Sequence, residues 1–332
     1  MNFICFDLEG PLSPQDNAYE LMKLFPGGDK IFEVISRYDD LLTLEKRKDY
    51  EPGDTLALIV PFLILRKISE ADITALAAQA SLISGADELI TWLQSSSWKV
   101  FCISTSYEQY AINITKKLGI YAHNVACTSL PLNKFGVTLS TEDSKLIQQV
   151  EKNIMTMSPV VDDDKIKQIL DNFFWEKLPA TNLGRTIKEV KPVGGQRKVD
   201  ALNKFAAKYD QPLSKWVVVG DSITDSRMLR AVDEAGGLAI AFNANEYALS
   251  YATMSLASTS VKDLTEMLST WPNGQRKEAA KIVTEKEKVS GCGDRGYFHW
   301  LASREKIDEV VEIHKIHRRI RQLVREEAGK LG

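Results

Sequence analysis

Four short apolar runs, at residues 3–6, 100–103, 216–219 and 238–242, constrain this chain more than any other feature. Each is continuous rather than alternating, the pattern of a strand covered on both faces, as in a parallel sheet flanked by helices. Helical stretches lie between them. Residues 86–94 carry Leu89, Ile90 and Leu93 with Trp92 beside them, and residues 226–232 follow the third run. Strand and helix in repetition predict an α/β fold with a Rossmann-like, doubly wound parallel sheet. The 332 residues leave room for that core and attached modules, since a domain typically takes ~100–200.

Residues 1–12, 85–106 and 191–260 read as the core. Residues 13–84 contain no convincing strand and read as helices broken around Pro26-Gly27-Gly28 and Pro52-Gly53, a helical cap inserted after the first strand. Residues 107–190 read as a second insertion of mixed or helical structure, patterned near 144–155 and 165–174. Both are too long for plain loops in a compact domain. Residues 261–332 read as a helical C-terminal extension, interrupted at Pro272-Asn273-Gly274 and at Ser290-Gly291-Cys292-Gly293. Its last helix, 307–327, has Ile307, Val310, Val311, Ile313, Ile316, Ile320 and Val324 on an apolar stripe with a basic flank. That stripe suits packing on the chain's own core or on a second subunit, the latter giving a homo-oligomer. His314 and His317, three apart on this helix, sit beside Arg318, Arg319 and Arg321, which would repel a metal cation.

Composition excludes several partners. A formal net charge of −3, with 44% apolar and 26% charged residues, supplies no global field for nucleic acid or an anionic membrane. No apolar segment approaches the ~18 residues that span a bilayer, and the N-terminus lacks the basic start and long apolar stretch of a signal peptide. Cys5, Cys102, Cys127 and Cys292 are widely spaced and form no CxxC pair, which argues against a disulfide framework or a zinc site. A cytoplasmic protein is expected.

Chemistry concentrates where the runs end. The first run closes in Asp7-Leu8-Glu9-Gly10-Pro11, two acids one residue apart beyond a buried strand, where open α/β sheets bind ligands. An extended Leu8 would point both carboxylates the same way, and Gly10 would let the backbone turn sharply. An Asp can attack phosphorus covalently while a neighbouring acid protonates the leaving group. Such residues are also ordinary in strand-end turns, so the pair alone does not decide. The third run closes in Gly220-Asp221-Ser222-Ile223-Thr224-Asp225, a hard-oxygen set suited to Mg²⁺ and more than a single helix cap requires. The second run closes in Ser104-Thr105-Ser106, hydroxyls able to meet a phosphate at a helix start. Lys198 opens a helix ahead of the third run and could offset the accumulated negative charge.

In this order the motifs resemble the haloacid dehalogenase-like superfamily, with Asp7/Glu9, Ser104, Lys198 and Asp221/Asp225 at its four motif positions. The run from Asp7 to Gly10 and the stretch after Ser104 look closest to its phosphoserine phosphatase and homoserine phosphotransferase branch, which commonly has a helical cap after the first motif. The resemblance implies a Mg²⁺-dependent small-molecule phosphatase. Asp7 would form an aspartyl phosphate and Glu9 would be acid and then base. Ser104, Thr105 and Lys198 would hold phosphate oxygens. Mg²⁺ would be held by Asp7, Asp221, Asp225 and the backbone carbonyl of Glu9. The partner implied is a small phosphorylated metabolite. Two alternatives share these residues: a phosphotransferase to a small alcohol acceptor, and a catalytically idle binding protein. A carbon–halogen hydrolase would need no Mg²⁺ and leaves most of the acids without a task.

Overall fold

A computed structural model describes residues 1–136, 139–160, 162–289, 296–302 and 307–325. The core is a seven-stranded sheet of β1 (Asn2–Phe6), β2 (Trp98–Tyr107), β3 (Val125–Thr128), β4 (Trp216–Gly220), β5 (Leu238–Phe242), β6 (Met254–Ala257) and β7 (Tyr297–Trp300). Their order is β3-β2-β1-β4-β5-β6-β7. All pairs are parallel except β6 with the edge strand β7. The four apolar runs are β1, β2, β4 and β5, and the α/β expectation holds.

Alternation within each strand explains why the runs are continuous. Ile4, Phe6, Val100, Val217 and Val219 pack into one core layer, and Phe3, Cys5, Phe101, Trp216 and Val218 into the other. In the second layer the Phe101 and Trp216 ring centroids lie 4.9 Å apart, with Phe3 5.1 Å from Trp216. Each such side chain contributes roughly 1.5–3 kcal/mol on burial, so a polar residue within any run would be costly. The chain leaves β1 towards β2 on one side, while β4 lies on the other. That reversal opens a crevice at the carboxyl ends of β1 and β4, where Asp7 and Asp221 stand.

The second insertion begins later than the sequence suggests. Residues 107–128 belong to the core: the helix Glu108–Lys117 returns the chain to β3, which pairs with β2. The cap portion is the helical stretch from Leu132 onwards, including Thr141–Ile154, Asp163–Asp171 and Asn182–Ile187. It packs on the first insertion, so the two form one helical layer. Phe173 and Phe174 join Tyr38 and Phe62 in a buried cluster. Arg37 pairs with Asp163 at 2.6 Å and Arg47 with Asp171 at 3.0 Å.

The C-terminal extension is not helical throughout, because β7 closes the sheet edge. Its long helix, Thr265–Lys288, contains Pro272 and breaks at Gln275, where φ is +50°. The last described helix, Ile307–Arg325, packs on the chain's own core through buried Ile313 and Ile320. The end of the expected 307–327 helix, the Ser290–Gly293 break and Cys292 lie outside the described residues. Cys5, Cys102 and Cys127 are free thiols, and no described helix is long and apolar enough to cross a membrane.

His317 fastens that last helix. It is fully buried, and its Nδ1 accepts the Ala244 N–H at 2.9 Å. Burial pushes its imidazole down to about 3. Above the unfolded value near 6.5, both states are neutral and stability is fully present. As pH falls from there towards 3, the unfolded chain takes up a proton that the folded chain refuses, removing up to about 1.4 kcal/mol per pH unit. Urea unfolding at about pH 7 and about pH 5 should show a decline that His317→Asn makes shallower. Equal slopes in the two proteins would contradict this role.

Candidate active site

Four side chains from separate elements meet at the carboxyl end of the sheet. Asp7 follows β1, and its N–H donates to the Val219 carbonyl at 2.8 Å, extending the β1–β4 ladder by one residue. Its Oδ1 accepts the Leu8 N–H at 2.7 Å and Lys198 Nζ at 2.8 Å. Among the described residues no hydrogen bond reaches Oδ2. Lys198 projects from the helix Gln196–Lys208, is fully buried, and also donates to Asp225 Oδ1 at 2.7 Å. Burial alone would push its ammonium down, but Asp225 and Asp7 outweigh this and raise it. The lysine therefore stays cationic.

Asp225 stands at the start of the helix Ser226–Glu234 and folds the loop before it. Its Oδ2 accepts the N–H groups of Asp221 at 3.0 Å and Ser222 at 3.2 Å. Gly220 is required there, since a Cβ would sit 2.6 Å from that of Asp225. Asp7, Asp221 and Asp225 each offer a carboxylate oxygen within 4.8 Å of the others. The Asp7 carboxyl is pushed up by burial and by Asp225, with Lys198 opposing. Gly10, at φ +97°, leaves the space that the Asp221 carboxylate fills: a Cβ would lie 2.4 Å from Asp221 Cγ.

The sequence expectation for Ser104 needs correction. Ser104 is fully buried, accepts the Ser106 N–H at 3.0 Å, and shapes the end of β2 without lining the cavity. Thr105, one residue on, lines it and donates to the Val193 carbonyl at 3.1 Å. Glu9 is half-buried, and its carboxylate stands outside the aspartate trio. It accepts the Asn17 N–H at 2.9 Å and the Ser106 hydroxyl. Burial and the nearby Asp16 push the Glu9 carboxyl up to about 7, against the hydrogen bonds and Arg325.

Arg321, which the sequence offers only as a group that would repel a cation, and Arg325, which it does not single out, belong to the site. Arg321 and Arg325, on the last helix, both reach Asp221 Oδ2 through Nη1, Arg325 at 2.8 Å. A faint signal was present: Ile313, His317, Arg321 and Arg325 recur every four residues and so share the buried face. Three carboxylates (Asp7, Asp221, Asp225) thus face three cations (Lys198, Arg321, Arg325). Above them the cap closes the cavity with Phe32, Ser36, Asp39, Asp40, Thr55 and Leu56.

The donor set fits a hard divalent cation. Asp221 Oδ1 has no donor among the described residues, the Asp7 carboxylate lies beside it, and both residues line the cavity. Asp225 is occupied on both oxygens by Lys198 and the loop N–H groups, which suits it to orient the others.

The fold is shared beyond this chain. Residues 83–263, more than half of it, match the model of the haloacid dehalogenase-like hydrolases, a span that takes in Lys198, Asp221 and Asp225. A comparison with curated proteins finds no match. A gene product from Archaeoglobus fulgidus is similar over 100% of this chain and 99% of its own, with a TM-score of 0.85 at 25% identity. Apo phosphoserine phosphatase is similar in fold, with a TM-score of 0.51 at 16% identity over 80% of this chain and 98% of that one. A phospho-aspartyl intermediate analogue of phosphoserine phosphatase gives 0.52 at 17% identity, over 80% and 97%. With its motif residues converged at the sheet's switch point, the chain belongs to the haloacid dehalogenase-like hydrolases.

Proposed function

We propose that this hydrolase is a Mg²⁺-dependent phosphatase of small phosphomonoesters, acting through an aspartyl phosphate on Asp7. The observation that carries the reading is the asymmetry of the Asp7 carboxylate. Oδ1 is pinned by Leu8 and Lys198, while Oδ2 is left without a donor in a cavity that also holds a carboxyl near neutrality, Glu9. Oδ2 would attack phosphorus in line as the ester P–O bond breaks. The departing oxygen takes the proton of Glu9. Glu9, now a carboxylate, accepts a proton from water as that water attacks the phosphorus. The P–O bond to Asp7 breaks and phosphate leaves.

Lys198 holds the nucleophile's orientation and offsets its charge throughout. Of the two expected hydroxyls, Thr105 is the one that lines the cavity, and it would turn from the Val193 carbonyl to donate to a phosphate oxygen. Asp7 and Asp221 would hold the Mg²⁺, which when bound supplies further charge neutralisation to the transferring group. Positioning and neutralisation of this kind account for most catalysis of phosphoryl transfer. The substrate we envisage is a small phosphorylated metabolite of the cytoplasm, with neither nucleic acid nor membrane as partner. Asp39 and Asp40 in the cap wall place amino-alcohol phosphates among the first candidates.

Phosphate release from a panel of phosphomonoesters, phosphoserine and other amino-alcohol phosphates included, tests this with Mg²⁺ and with EDTA. Mg²⁺-dependent release is expected, and silence from folded protein would overturn it. Glu9→Gln should lower turnover of an alkyl phosphate by about 10²–10⁴-fold, and that of p-nitrophenyl phosphate far less, because its leaving group needs no proton. With Glu9 the proton donor, the alkyl-ester step should weaken as pH rises through about 7. Equal losses on both esters would remove Glu9 from the acid role.

A further inference from the structure

The C-terminal helix does something that phosphoryl transfer alone does not require: it delivers two guanidinium groups to a carboxylate expected to hold a cation. Arg321 and Arg325 are 4% and 7% exposed, so both are held in place within the protein. Arg325 Nε donates to the Pro14 carbonyl at 3.1 Å, tying the helix to the segment that follows the nucleophile. Arg321 Nη1 also lies 3.3 Å from the Asn243 carbonyl. The Asp221 carboxylate is sandwiched between these arginines and Gly10 and has little freedom to swing away from them.

The charges explain why this matters. At the base of the cavity Lys198, Arg321 and Arg325 stand against Asp7, Asp221 and Asp225, with Asp16 as a further acid beside the two arginines. A dication added to Asp7 and Asp221 would place two more positive charges directly beside two guanidinium groups. That repulsion is relieved when the arginines withdraw from Asp221, or when a phosphate dianion arrives for them to face.

We infer that Arg321 and Arg325 compete with the divalent cation for Asp221, making the C-terminal helix an internal counter-ion that cation binding must displace. The inference rests on the cation of the proposed function. It adds that the chain's own tail sets how tightly that cation is held, and hence the cation concentration at which the site is loaded. Of the two arginines, Arg325 is the milder to remove, because Ile313, His317 and Arg321 still anchor the helix.

Mn²⁺, read by the loss of its free-ion EPR signal, measures the competition without any turnover. The proteins compared are the unmodified chain, Arg325→Gln, Arg321→Gln/Arg325→Gln and Asp221→Asn, each checked for folding by near-UV circular dichroism. Arg325→Gln should bind Mn²⁺ more tightly than the unmodified chain and the double variant tighter still, by about tenfold or more. Asp221→Asn should lose the binding. Unchanged or weaker affinity in folded arginine variants would overturn the inference, as would full retention in Asp221→Asn. If Arg321 proves necessary for folding, Arg325→Gln decides alone. A silent phosphate-release assay alongside the expected ranking would sink the proposed function and leave the competition standing.

Discussion

Everything at the carboxyl end of this sheet depends on Lys198, a buried ammonium held between Asp7 at 2.8 Å and Asp225 at 2.7 Å. An isolated charge buried this deeply would cost several kcal/mol, so the lysine needs both carboxylates as much as they need it. The pairing fixes three separate pieces of chain in one arrangement. Asp7 is set at the end of β1, the helix Gln196–Lys208 is drawn over the sheet, and Asp225 is held where it folds the loop after β4. Asp225 then fixes Asp221 by accepting its N–H. A site assembled this way is rigid before any ligand arrives, which is the condition for electrostatic preorganisation.

How far the sequence disclosed this follows from the range of the interactions involved. β1, β2, β4 and β5 were legible because burial on both faces leaves an unbroken apolar run. β3, β6 and β7 were not: each has four residues, and Val125-Ala126-Cys127-Thr128 carries no pattern without its neighbour β2. Without β3 the second insertion reads as beginning at 107, whereas the chain first adds β3 to the sheet edge. Asp7, Lys198, Asp221 and Asp225 could be read because each stands at a strand end or helix start, where local sequence sets direction. The choice between Ser104 and Thr105 turns on one residue of strand register, which the sequence does not fix. Arg321 and Arg325 lie a hundred or more residues from Asp221, and only the docking of the last helix brings them there.

The two insertions and the C-terminal helix divide the remaining work. The insertions fuse into one cap whose aromatic and ionic contacts hold it as a layer. Its wall brings Asp39 and Asp40 towards the cavity, and burial pushes their carboxyls up to about 7 and about 6. The C-terminal helix closes the opposite side with its arginines. The similarity to the Archaeoglobus fulgidus gene product runs over the whole chain, extension included, whereas that to phosphoserine phosphatase covers 80% of it. The fold shared with phosphoserine phosphatase is thus less than the whole chain, whereas that shared with the Archaeoglobus fulgidus gene product is all of it.

The central claim is that Asp7 is phosphorylated during turnover. Its most direct test is a rapid acid quench of the protein with ³²P-labelled substrate, followed by peptide mapping. The account predicts one hydroxylamine-labile phosphoryl group, located on Asp7 and absent from folded Asp7→Asn protein. Turnover without any protein-bound phosphoryl group, or a label that persists in Asp7→Asn, would contradict it.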